Sequence, residues 1–149
     1  MKSIHSWLEE YAQSHKDKTN IKVHWICIPI IFWCITGFMF LITIPLLGNL
    51  AVPVLFLLTI YYALLSRTLW VGMLLLSLIC LLASFLVYQR YYNNSFWLYL
   101  LLFIVAWIGQ FYGHKVEGKK PSFLKDIQFL LIGPAFLMSK LYKTLGIPL

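Results

Sequence analysis

Between residues 23 and 113 the chain carries no acidic side chain and only two formal charges, Arg67 and Arg90. All five acidic residues (Glu9, Glu10, Asp17, Glu117 and Asp126) lie outside that stretch. A soluble domain draws about a quarter of its residues from the charged types, because its shell must face water. Here the charged share is 11% and the hydrophobic share 61%. That balance excludes a soluble globular domain, a disordered chain and an ordinary nucleic-acid binder. The chain reads as an all-α membrane protein, one integral membrane domain over residues 1–149.

Segments of roughly 20 apolar residues cross the hydrocarbon core as helices, since every backbone polar group must be satisfied within the segment. The pattern predicts four transmembrane helices, over about 23–47, 50–65, 69–88 and 96–112. The second is short, with Pro53 in its first turn, where proline is tolerated. Four crossings put every Lys and Arg except Arg90 on one face, so the positive-inside rule predicts that both termini are cytosolic. The net charge of +7 is then a rim for anionic lipid headgroups and not a nucleic-acid patch. Tyr88, Tyr91, Tyr92, Trp97 and Tyr99 read as an outer aromatic belt, and Trp25 and Trp70 as an inner one.

Residues 1–14 predict an interfacial helix with Ile4, Trp7, Leu8 and Tyr11 on one stripe, capped by Ser3 or Ser6. Residues 122–141 are apolar but interrupted by Lys125, Asp126 and Gln128. The Gly133-Pro134 step predicts a break, giving two half-helices in the cytosolic interface or a shallow re-entrant hairpin. No signal peptide is legible. A bacterial inner membrane is the expected location, or the endoplasmic reticulum in a eukaryote. Cys27, Cys34 and Cys80 fall inside spans and read as small buried hydrophobes.

The histidines carry the chemistry. His24 sits at the cytosolic start of the first span, His114 just past the cytosolic end of the fourth, and His15 on the link into the first. The topology thus gathers three imidazoles at one membrane level. A lone interfacial histidine usually has no special role, but three at one level favour a metal site. Imidazoles suit iron, zinc, copper or nickel, and with only Asp17, Glu117 and Asp126 as local carboxylates a mononuclear site is favoured over a binuclear one. His5 is a further candidate ligand. Tyr11, Asn20, Gln110, Lys115 and Glu117 are candidate supporting or substrate-contacting groups. No GxSxG, HExxH, CxxC, P-loop or GxGxxG motif occurs, and four histidines are too few for the clustered boxes of membrane desaturases. A zinc-dependent lipid hydrolase using the same histidines remains open. So does a structural or transport protein, with haem between His24 and His114.

Two long motifs narrow this choice. One is Tyr11-x3-His15-x4-Asn20-x3-His24-x4-Pro29 before a long apolar run. The other is Gln110-Phe111-x-Gly113-His114, followed by Glu117, Lys119-Lys120-Pro121 and Gly133-Pro134. Together they resemble the 2-hydroxy fatty acid dioxygenase family, small multi-span proteins of fungal endoplasmic reticulum and of bacteria. The resemblance implies iron(II)-dependent α-oxidation, in which a 2-hydroxy fatty acid is shortened by one carbon with dioxygen. It also implies His15, His24 and His114 as the catalytic metal ligands, with a 2-hydroxy fatty acid or membrane lipid and dioxygen as partners.

Overall fold

The computed structural model describes residues 2–46, 48–121 and 128–149. The described residues form α1 (Ile4–Ala12), α2 (Lys18–Phe40), a two-residue antiparallel ladder of β1 (Thr43–Ile44) and β2 (Gly48–Asn49), α3 (Ala51–Leu65), α4 (Leu69–Tyr91), α5 (Ser95–Glu117) and α6 (Phe129–Thr144). A single 3-10 turn, Tyr92–Asn94, folds α5 back from α4.

Local chemistry sets the boundaries. Ser3 caps α1 by accepting from the Ser6 amide, and α1 buries the predicted stripe of Ile4, Trp7, Leu8 and Tyr11. Asp17 accepts from the Thr19 and Asn20 amides, so α2 begins at Lys18, ahead of the apolar run. It ends at Phe40 and not near residue 47, because the chain from Leu41 turns into the ladder, with Leu46 and Gly48 both at positive φ. Two stretches, Lys18–Phe40 and Leu69–Glu117, are long and apolar enough to cross a membrane, and α3 is a shorter apolar helix.

Contacts between ends give the directions. His24 and His114 meet at one end of α2 and α5, and Tyr99 lies against Gly37 at the other, so these two helices run antiparallel. Tyr88 of α4 touches Phe40 of α2, so α4 runs parallel to α2. Within the bundle, small and hydroxylated residues fill the seams, among them Cys34, Thr36, Ser77, Cys80, Ser84 and Ser95. Thr36, Thr59 and Ser77 return their hydroxyl protons to carbonyls one turn back. The outside is large and apolar, as at Ile26, Phe56, Leu57, Ile79, Leu82 and Ile108. This inverts the usual order of a soluble domain, with small residues in the seams and large apolar ones outside.

Two further expectations are corrected. Tyr99 is no belt residue: it is fully buried, because bare Gly37 leaves room for its ring, and its hydroxyl reaches the Ser84 carbonyl at 3.4 Å. Nor does Gly133-Pro134 break the last segment, for α6 runs through it as one helix. Pro134 removes one helical hydrogen bond, while burial of Ile132, Gly133, Ala135, Phe136 and Leu137 around it holds the helix together. Lys125 and Asp126 lie outside the described residues.

α6 packs on α1, α2 and α4 and is fixed by tyrosines. The Tyr62 hydroxyl donates to the Leu131 carbonyl at 2.6 Å, and Tyr142 reaches the first turn of α4. With α1 it closes the end of the bundle where the histidines meet.

Candidate metal centre

His15 lies on the link between α1 and α2, His24 in the first two turns of α2, and His114 in the last turn of α5. Their relative exposures are 4%, 2% and 5%. One ligand nitrogen from each lies within 4.8 Å of the others, and the three rings meet edge to face with centroids 4.5 to 5.0 Å apart.

The backbone fixes two of the tautomers. His15 Nδ1 is 2.7 Å from the Tyr11 carbonyl and His24 Nδ1 is 2.8 Å from the Asn20 carbonyl. A carbonyl only accepts, so in each neutral ring Nδ1 carries the proton and Nε2 keeps its lone pair. Those two Nε2 atoms face each other at 3.0 Å. Two bare lone pairs at that distance repel unless a proton or a metal ion lies between them. Burial opposes the proton: it pushes the His15 pKa down to about 4, reinforced by His114, while the Tyr11 carbonyl and Glu117 act the other way. Two nitrogens bound at right angles to one ion through bonds of about 2.1 Å stand about 3 Å apart. His114 Nδ1 is itself buried with no hydrogen-bond partner among the described residues. The donor set fits a metal of the iron, zinc, copper and nickel group.

A second layer holds this set. Tyr11 stacks on His15 with ring centroids 3.9 Å apart and planes within 7°. Glu117, at the end of α5, accepts from the Lys16 backbone amide at 3.0 and 3.1 Å, from the Asp17 backbone amide at 2.7 Å and from the Asn20 side-chain Nδ2 at 3.2 Å. It thereby straps the link that carries His15 to the helix that carries His114. Asn20 fits only because Gly113 is bare, since a Cβ there would lie 2.5 Å from Asn20 Oδ1. Asp17 is engaged as the α2 cap, and among the described residues no carboxylate joins the gathered group.

The other candidates fall on two sides. Tyr11, Gln110, His24 and His114 line an apolar pocket between α2, α5 and α6. His5 is exposed on α1 and lies outside the group of three, and Lys115 is exposed on α5. The far wall of the pocket was not legible in the sequence: Ile28, Ile31 and Ile35 are indistinguishable by type from the outward-facing residues around them. Lys140 was read only as a rim charge, yet it sits 4.7 Å over the Phe136 ring, which in turn packs on His15.

Fold and site together define a helical protein with apolar outer faces and a buried three-imidazole centre capable of holding a metal. The chain belongs to the Mpo1-like family, described as 2-hydroxy-palmitic acid dioxygenase Mpo1-like, which matches residues 1–145. No curated protein and no solved structure gives a match.

Proposed function

We infer that the protein is an iron(II)-dependent dioxygenase that shortens 2-hydroxy fatty acids by one carbon. One observation carries the reading: two buried Nε2 lone pairs face each other at 3.0 Å beside a third imidazole, in a chain whose family is described by this oxygenation. His15, His24 and His114 would hold the ion, and three neutral nitrogens leave positions free for a chelating acid and for dioxygen. Bound iron supplies the activation of dioxygen. Overall, a 2-hydroxy acid and dioxygen give the acid one carbon shorter, carbon dioxide and water. The electrons that dioxygen takes come from the two carbons whose bond breaks, so the balance needs no outside reductant.

The chain's own groups bind and orient. Gln110, buried in the pocket wall one turn from His114, presents an amide to the substrate carboxylate. Tyr11 holds the His15 ring in plane. Asn20 and Glu117 are positioning residues, acting through His24 and the His15 link. Lys115 contributes to the basic rim that attracts an acid, and His5 has no part in the chemistry.

The same reading makes the chain one integral membrane domain in which α2, α3, α4 and α5 are four crossings with both termini cytosolic. It is supported by their alternating directions, their apolar outer faces and the clustering of the basic residues at the histidine end.

The test is an aerobic assay of detergent-purified protein with Fe(II) and 2-hydroxypalmitate, followed by mass spectrometry for the acid one carbon shorter. Product from the wild type and none from His24→Ala is the expected result. Bound iron without product from any 2-hydroxy acid would overturn the reaction. Metal retained in His15→Ala, His24→Ala and His114→Ala alike would overturn the site.

A further inference from the structure

The pocket beside the histidines has two unlike ends. From α2 it takes His24, Ile28, Ile31, Phe32 and Ile35, a spacing that a helix places on one face. Its amide and ionisable side chains, Tyr11, His24, Gln110 and His114, all belong to the nest end. Ile35, 39% exposed, and Leu130 of α6, 37% exposed, leave the pocket open sideways onto the apolar exterior. Between His24 and Ile35 the axis of α2 advances roughly 16 Å. Gly133 keeps the passage clear beside the nest: a Cβ there would come within 3.2 Å of the Tyr11 hydroxyl and 3.3 Å of Ile28 Cδ1.

We propose that this channel seats the hydrocarbon tail of the substrate, that the tail enters sideways from the bilayer, and that Ile35 at the mouth gauges chain length. The inference rests on the reading of the histidine nest as the seat of a 2-hydroxy acid. An acid with one polar head and one long tail matches a passage with one polar and one apolar end, in the same order. A short water-soluble acid would leave the isoleucine wall uncovered. A tail lying outside the bundle would leave Ile28 and Ile31, both buried, facing an empty passage.

The experiment uses the full chain in lipid nanodiscs and two photoreactive fatty acids, one with a diazirine beside the head and one with it mid-chain. Peptide mapping by mass spectrometry is expected to place the head label on the peptides of His24 and Gln110, and the mid-chain label on residues 31–35 or on Phe129 and Leu130 across the channel from them. A mid-chain label found elsewhere, with the head label at the nest, overturns the channel and leaves the nest reading standing. A head label absent from the nest overturns both. Chain-length preference gives an independent readout, through displacement of a fluorescent fatty acid from the isolated protein. Ile35 is exposed enough to accept a larger ring, so Ile35→Trp is expected to cut the preference for 2-hydroxyhexadecanoate over 2-hydroxyoctanoate about tenfold, the loss of about two buried methylenes. Ile35→Ala is expected to move the preference the other way. An unchanged ratio in both variants overturns the gauge.

Discussion

Gly113 owes its place to Asn20 on the facing helix, whose Oδ1 occupies the position a Cβ would take at 2.5 Å. Gly113→Ala must therefore push Asn20, and with it the carbonyl that holds His24 Nδ1. Overpacking of this kind costs about 1–3 kcal/mol, so the variant is expected to melt earlier and to bind metal more weakly than wild type. Glu117 works from the outside of the same assembly. Glu117→Gln keeps the shape but loses the charge that draws the Lys16 and Asp17 amides inward. A supporting partner of this kind changes metal affinity about tenfold or more, which calorimetric titration of the metal-free protein would read. His15 contributes to the pH dependence. Its ordinary value of 6.5 is lowered to about 4, first by burial, so between those values the unfolded chain takes up a proton that the folded chain refuses. The contribution to stability is whole above pH 6.5 and is lost as pH falls from there to about 4. Thermal melts of the metal-free protein are expected to decline across that window, and His15→Phe, which keeps a ring on Tyr11, to flatten the decline.

Among the elements, α6 shows how a helix with little charge is held in register by single hydroxyls. The Tyr142 hydroxyl accepts from the Gly72 amide at 2.9 Å and donates to the Thr68 carbonyl at 3.1 Å. It stands between the donor and acceptor that would otherwise close the first turn of α4. Tyr142→Phe takes this partner from the buried Gly72 amide, while the Thr68 carbonyl keeps the Val71 amide at 3.2 Å; the cost is about 1–2 kcal/mol, and faster hydrogen exchange at the Gly72 amide is the expected signature. None of this was legible in the sequence, where Tyr142 is one more aromatic in an apolar run. The legible parts were those in which water enforces a contrast. The α1 stripe could be read because polar residues interrupt it. The meeting of His15, His24 and His114 could be read because hydropathy alone sets which ends of the spans lie together. Inside the apolar stretches that contrast vanishes, so the seam at Gly37 and Tyr99 and the passage along Ile28, Ile31 and Ile35 left no periodic trace. The end of α2 at Phe40 was hidden for the same reason, since the residues after it are as apolar as those before.

At the scale of the molecule the open tension is α3. Its 15 residues extend roughly 22 Å, against a hydrocarbon core of about 30 Å, so by length alone it falls short of a crossing. The chain before it offers a way to make up the difference. The ladder pairs Thr43 with Asn49 and Ile44 with Gly48, and the Leu50 amide donates to the Ile42 carbonyl at 2.9 Å. Backbone that satisfies itself in this way can sit below the headgroups where an open loop cannot, and the wholly exposed Leu46 at its tip then faces lipid. Local thinning of the bilayer over a short helix makes up the remainder at modest cost. α4 lies between Arg67 and Arg90 and separates them whenever it crosses, whereas a crossing α3 is what returns Arg67 to the face that holds Lys2 and makes the number of crossings even. Single cysteines introduced as Lys2→Cys, Arg67→Cys, Arg90→Cys and Lys143→Cys, in a chain with Cys27, Cys34 and Cys80 replaced by alanine, distinguish the two. In intact cells an impermeant maleimide is expected to label Arg90→Cys alone, and the other three only after the membrane is opened. Labelling of Lys2→Cys without Lys143→Cys, or the reverse, would put the termini on opposite faces and remove α3 from the crossings. Since α2 and α4 run parallel and α2 and α5 antiparallel, α3 must return the chain to the histidine end, so that outcome would put His24 and His114 on opposite faces and overturn the metal centre together with the four crossings.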